Sequence, residues 1–149
     1  MCNCLVLGSS LGFKKETELA FCAAFIHDMA RKNDGFCNKH GLLAIETKLP
    51  LFKELILSIG IKSDELKAIE VAVINHCESI ELSEDSPLYK ITAILKDSDA
   101  LDRIRFNEPV KHLRFKESIG LIGFAENMYC QTNTKLEIDI AAFLNIAEN

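Results

Sequence analysis

The chain has 149 residues, 48% hydrophobic and 26% charged, which excludes disordered and collagen-like chains and leaves one domain over 1–149 with enough length to bury a core without disulfide or metal staples. Its 22 acidic and 17 basic residues give a net charge of −5, with no basic block to follow a phosphate backbone, so duplex nucleic acid is not an expected partner. No apolar run reaches the ~18 residues that span a bilayer, and the short patch Cys4 to Leu7 lacks the basic flank of a signal peptide, so a cytoplasmic protein with no membrane partner is expected.

Apolar residues recur at spacings of three and four almost throughout, which predicts an all-α fold. A first helix is expected from Met1 to Leu11, opening without an N-cap and ending at Gly12. A second begins near Lys15 to Thr17 and runs through Leu19 to Ile26, apolar on every side and therefore destined for the core. Asn33-Asp34-Gly35 breaks it. A third helix, His40 to Leu57, is expected to be interrupted or bent at Pro50, whose nitrogen has no proton to donate, and Gly60 closes it. Ser63 with Asp64 and Glu65 has the form of a helix N-terminus, the hydroxyl capping free amides and the acids facing the positive dipole end.

The fourth helix places Leu66, Ile69, Val73, Ile74 and Cys77 on one stripe. After the acidic loop Glu81 to Ser86, Pro87 opens a fifth helix that runs to about Phe106, and Asn107-Glu108-Pro109 stops it. Weaker helices follow between Val110 and Cys130. Gln131 to Thr134 then separates a last amphipathic helix, Glu137 to Ala147, that either covers the bundle or pairs subunits into a homo-oligomer. The cysteines at 2, 4, 22, 37, 77 and 130 form no CxxC pair, so reduced thiols, several buried, are expected in place of a disulfide framework. Cys2 and Cys4 make a CxC, but no second Cys/His pair at zinc spacing follows it.

Three features carry candidate chemistry. His27-Asp28 follows eight consecutive apolar residues, and burying either side chain unpaired costs about 2 kcal/mol or more. One possibility is a locally hydrogen-bonded histidine beside a solvated aspartate; the other is a divalent-metal site completed from other helices. The second feature is Lys96-Asp97-Ser98-Asp99-Ala100-Leu101-Asp102-Arg103. Helical spacing puts Asp99 and Asp102 on a similar side with Asp97 pointing elsewhere, and Asp102 nearest the apolar stripe, where a salt bridge to Arg103 or Arg105 is its plain role. The third is the pair of separate histidines His40, before Gly41, and His76, in Asn75-His76-Cys77-Glu78, each of which taken alone also suits a surface or a satisfied core position. Arg31 and Lys32, just beyond the His-Asp pair, either clamp an anionic substrate or lie as solvated charge.

Together, Ala23-Ala24-Phe25-Ile26-His27-Asp28-Met29-Ala30-Arg31, His40-Gly41, His76 and Ser98 to Asp102 resemble the HD-domain superfamily of metal-dependent phosphohydrolases. The resemblance covers about residues 1–106 and leaves the helices of 110–149 outside it. It implies an HD-domain-like helical bundle in which His27 and Asp28 ligate a divalent metal, with Asp99 completing the site and Asp97 as the alternative. By the same resemblance His40 and His76 hold a second ion or contact phosphate, so that Asp28, Arg31, His40 and His76 form the catalytic set.

The family pattern begins with a further histidine one helix length before the His-Asp pair, and none precedes His27. The expectation is that this ligand lies a few residues before Met1 or that this member has lost it. One or two Mn²⁺, Fe²⁺ or Mg²⁺ ions would neutralise phosphate oxygens and bring the pKa of a bound water towards neutrality. The expected function is therefore hydrolysis of a phosphate ester in a small metabolite, with a nucleotide as the substrate class. The alternatives are a catalytically inactive HD-like module that binds a nucleotide or a partner protein, and a bundle with no small-molecule site.

Overall fold

The computed structural model describes residues 1–33, 37–106, 110 and 112–133, and the regular structure among them is entirely helical. The helices are α1 (Cys2–Leu11), α2 (Lys14–Ile26), α3 (His40–Thr47), α4 (Leu49–Ser58), α5 (Leu66–His76), α6 (Tyr89–Asp102), α7 (Lys116–Gly120) and α8 (Ile122–Asn133), with 3₁₀ turns at Ser63–Glu65 and Arg103–Phe106. Among these residues no helix is long and apolar enough to cross a membrane.

The second helix, apolar from Leu19 to Ile26, is the centre of the bundle: α2 packs against α1, α5 and α6, while α3 lies on α5. Ala20, Ala23 and Ala24 are buried along α2, and their small side chains let three neighbouring backbones approach. Leu7, Ile69, Ile94 and Leu95 fill the space between and are almost wholly buried, each favouring the fold by about 1.5–3 kcal/mol over an exposed side chain. At the α1–α2 contact a Cβ on Gly8 would collide with the Thr17 side chain, so this crossing depends on the missing methyl. Phe25 of α2 meets Phe52 of α4 edge to face, with ring centroids 5.1 Å apart.

Helix boundaries follow the turn chemistry with informative shifts. Gly12 ends α1 in the left-handed region at φ 69°, its amide donating to the Ser9 carbonyl, a conformation that a residue without Cβ adopts at little cost. The expected third helix is two: α3 stops at Lys48, and α4 restarts with Pro50 in its first turn, where a missing N–H leaves no hydrogen bond unmade. Ser63 is not the cap it was expected to be. Lys62 holds the N-cap position and its amide donates to Glu65 Oε2 at 2.8 Å.

The helix expected from Pro87 begins at Tyr89, because Ser86 Oγ accepts the Leu88 amide in a turn that precedes it, and its last stretch tightens into the 3₁₀ turn Arg103–Phe106. Helix α8 continues through Gln131 to Asn133, where a polar separator was expected. The expected breaks at Asp34-Gly35 and Asn107-Glu108-Pro109 and the helix Glu137 to Ala147 fall outside the described residues.

Cys4 and Cys22 are buried free thiols, Cys2, Cys37 and Cys77 are half-buried, and Cys130 is exposed.

Candidate metal centre

Four helices meet at one point. Helix α2 runs out of apolar residues at His27, which still has helical backbone angles, and its ring Nδ1–H donates to the Ala24 carbonyl one turn back at 2.8 Å. Asp28 follows in the turn. Helix α3 opens on His40, whose Nδ1–H donates to the Cys37 carbonyl at 2.5 Å. Helix α5 ends on His76, whose Nδ1–H donates to the Val73 carbonyl. Helix α6 contributes Asp99. Since a carbonyl can only accept, each of the three imidazoles carries a proton on Nδ1 and turns its Nε2 towards the others, the orientation in which a neutral histidine binds metal.

The separations are short. His27 Nε2 lies 3.6 Å from Asp28 Oδ2 and 3.7 Å from Asp99 Oδ1, while Asp28 Oδ1 lies 3.1 Å from His40 Nε2 and 3.7 Å from His76 Nε2. His40 and His76 face each other with 2.8 Å between their Nε2 atoms. Two neutral imidazoles with both protons on Nδ1 cannot hydrogen-bond through Nε2, so this contact calls for a proton or a cation between the lone pairs. Asp28 Oδ1 is buried with no hydrogen-bond donor, an orphaned charged acceptor of the kind that costs several kcal/mol unless a cation meets it.

Gly41 makes the approach of His40 to His76 possible. A Cβ there would overlap the Val73 carbonyl oxygen on α5 and come within 3.2 Å of Cys77 Sγ, so any other residue would push α3 away.

Electrostatics agree with the geometry. Burial alone would raise the Asp28 carboxyl, but the facing His76, His27 and Arg31 hold it well below the usual carboxylate range. Asp99 is likewise lowered against its burial by His27. Burial would lower His27, yet the carboxylates of Asp99 and Asp28 push it up, whereas burial and the neighbouring His76 push His40 down. Burial also pushes the Cys77 thiol up.

His40, His76 and Asp99 of the cluster line a cleft of about 710 Å³ whose walls also include Arg31, Asn38, Cys77, Glu78, Arg103 and His112, a size suited to a small metabolite. Arg31 reaches Asp28 Oδ2 at 3.4 Å and the Asn33 carbonyl at 3.0 Å. His112 occupies the left-handed region at φ 58°, unusual for a residue with a side chain. Its position follows from a clamp: Arg114 Nη1 donates to the His112 carbonyl and to Asp97 Oδ1, each at 3.0 Å.

Of the sequence candidates, His27, Asp28, Asp99, His40 and His76 meet, and Arg31 stands at their edge. Lys32 is exposed and is not part of the cleft wall. Asp97, the alternative ligand, points to the other side of α6 and is fully buried. It accepts from the Arg114 and Phe115 amides, the Arg114 guanidinium and Ser118 Oγ. Asp102, expected nearest the apolar stripe, is exposed.

Sequence reasoning did not find Cys77, Arg103 or His112. Among the described residues the groupings able to hold an ion are His27, Asp28 and His76, and His40, His76 and Cys77; the Cys2 and Cys4 pair belongs to neither. Comparison with protein-family models, with curated proteins and with solved structures gave no match.

Proposed function

We propose that the chain is an HD-domain-like, divalent-metal-dependent phosphohydrolase acting on a small phosphorylated metabolite, with nucleotides as the substrate class. The observation that carries this reading is the convergence of three imidazole Nε2 atoms and two carboxylates beside a cleft that His40, His76 and Asp99 line, with Asp28 Oδ1 buried and orphaned among them. These residues fit Mn²⁺, Fe²⁺ or Mg²⁺: His27 and Asp28, which group with His76, would hold one ion together with Asp99, 3.7 Å from His27, with His40 beside it. When bound, such an ion supplies Lewis acidity, neutralising charge on phosphate oxygens and acidifying water.

The remaining work falls to the protein's own groups. The backbone carbonyls of Ala24, Cys37 and Val73 fix the three ring orientations, so no reorganisation is needed when substrate arrives. Arg31 offers a planar pair of donors to a phosphate, and its contacts to Asp28 and Asn33 aim it from the cleft wall. Arg103 adds a second guanidinium to the same wall, beside the carboxylates of Glu78 and Asp99.

The test is phosphate release from nucleoside mono-, di- and triphosphates, a cyclic phosphodiester and sugar phosphates, each with Mn²⁺, Fe²⁺ or Mg²⁺. Release that stops with chelator and in Asp28→Asn is expected. Metal binding with no release from any substrate would overturn the enzyme reading and favour an inactive module that binds a nucleotide or a partner.

A further inference from the structure

Cys77 is placed unlike the core thiols. Whereas Cys4 and Cys22 are buried in the bundle, Cys77 caps the C-terminus of α5 directly after His76 and lines the cleft. Its Sγ and a ring nitrogen of each of His40 and His76 lie within 4.8 Å of one another. The two Nε2 atoms lie 2.8 Å apart, a contact that calls for a proton or a cation between them, and Asp28 Oδ1, 3.1 Å from His40 Nε2, has no hydrogen-bond partner. One sulfur and two imidazoles form a compact three-donor group, with the Asp28 carboxylate oxygen next to His40 as the available fourth donor, a mixture of the kind that binds zinc-like ions.

We infer that Cys77 is a thiolate ligand of a second cation position, built with His40, His76 and the shared carboxylate of Asp28, and that this position takes a thiophilic divalent ion of the Zn²⁺, Co²⁺ or Fe²⁺ class in preference to Mg²⁺. The neighbouring position at His27, Asp28 and Asp99 has no sulfur and is the harder of the two. Without an ion the thiol donates to the Asn38 and Ile74 carbonyls at 3.3 and 3.5 Å. On binding, the S–H bond breaks, its proton goes to solvent and the freed electron pair bonds the metal. Gly41 is part of the device, because a side chain there would press on both Val73 and Cys77.

This inference rests on the metal-centre reading above but not on hydrolysis, and its test reads no activity. Full-length metal-free protein, kept reduced, is titrated with Co²⁺ and followed by absorption. The expected result is a sulfur-to-cobalt charge-transfer band in the near ultraviolet that is lost in Cys77→Ser, retained in Cys37→Ser, and displaced by Zn²⁺ but not by Mg²⁺. Zn²⁺ affinity at this position should fall by about tenfold or more in Cys77→Ser, with cobalt uptake at the harder position remaining.

Cobalt uptake by the wild-type protein without the band, or a band that survives in Cys77→Ser, would overturn the assignment and leave the hydrolase reading standing. The expected band in a protein that releases no phosphate would do the reverse. No cobalt uptake at all would sink both. The wild-type spectrum decides the matter even if the serine variant folds poorly.

Discussion

Asp97→Asn and Asp99→Asn, two residues apart on α6, are expected to have opposite consequences. The Asp97 carboxylate is fully buried and accepts from the Arg114 amide at 2.9 and 3.0 Å, Arg114 Nη1 at 3.0 Å, the Phe115 amide at 3.1 Å and Ser118 Oγ at 2.6 Å. An asparagine keeps one acceptor oxygen and turns an NH₂ against these donors. Hydrogen bonds to a buried charge contribute about 1.5–3 kcal/mol each, and breaking a buried ion pair costs about 3–5 kcal/mol.

Arg114 keeps Glu81 as a partner, so the lower part of that range is the expected loss. With Tm moving about 2–4 °C per kcal/mol at this chain length, a loss of about 3 kcal/mol means that Asp97→Asn should melt roughly 6–12 °C lower while still binding metal. Asp99→Asn should stay within about 1 kcal/mol of wild type in metal-free protein, as expected away from a structural network, and should lose metal. Thermal melts in chelator, paired with metal analysis after dialysis, read both. An Asp97→Asn protein that melts like wild type and comes through dialysis empty of metal, beside an intact Asp99→Asn, would refute the assignment of the two faces of α6.

Gly41→Ala should cost about 1–3 kcal/mol by overpacking α3 against the Val73 carbonyl, and should weaken metal binding more than an equal destabilisation elsewhere, as an isothermal titration with Zn²⁺ would show. His112→Ala should reduce kcat/KM for phosphate release about tenfold or more while bound metal stays unchanged, since that residue lines the cleft outside the ligand cluster; steady-state kinetics with metal analysis check this. Arg114, and then Lys96, hold the Glu81 carboxyl below its ordinary value of 4.5. Its contribution to stability is therefore present above that value and lost as pH falls through the lowered one, and Glu81→Gln should flatten the acid limb of a stability-versus-pH curve.

What the sequence revealed and what it hid have separate physical causes. Gly12, Pro50 and the apolar run before His27 act through local backbone chemistry and burial, so helix ends and the central α2 could be read from residue order. Helix α6 defeated the same method, because Ile91 through Ser98 are buried on all sides. With no exposed face, helical spacing turned Asp97 away from Asp99 but could not say which of the two faces the site, and it placed Asp102 nearest the core. The distinction lies in Arg114, which meets Asp97 across 17 positions of chain. Cys77 and His112 escaped notice for a similar reason. A thiol following a histidine and a histidine in a loop become candidates only when α3 and the Arg114 clamp bring other groups beside them.

The central claim is that the His27, Asp28, Asp99, His40 and His76 cluster is a cation site, and Mn²⁺ binding to metal-free protein, wild type against Asp28→Asn, tests it most directly. The Asp28 carboxylate lies within 3.7 Å of an Nε2 of each of the three imidazoles. The account predicts tight stoichiometric binding by wild type and none by Asp28→Asn, with both variants showing the same helical circular dichroism. Equal affinity in the two proteins, or no binding by either, would contradict it.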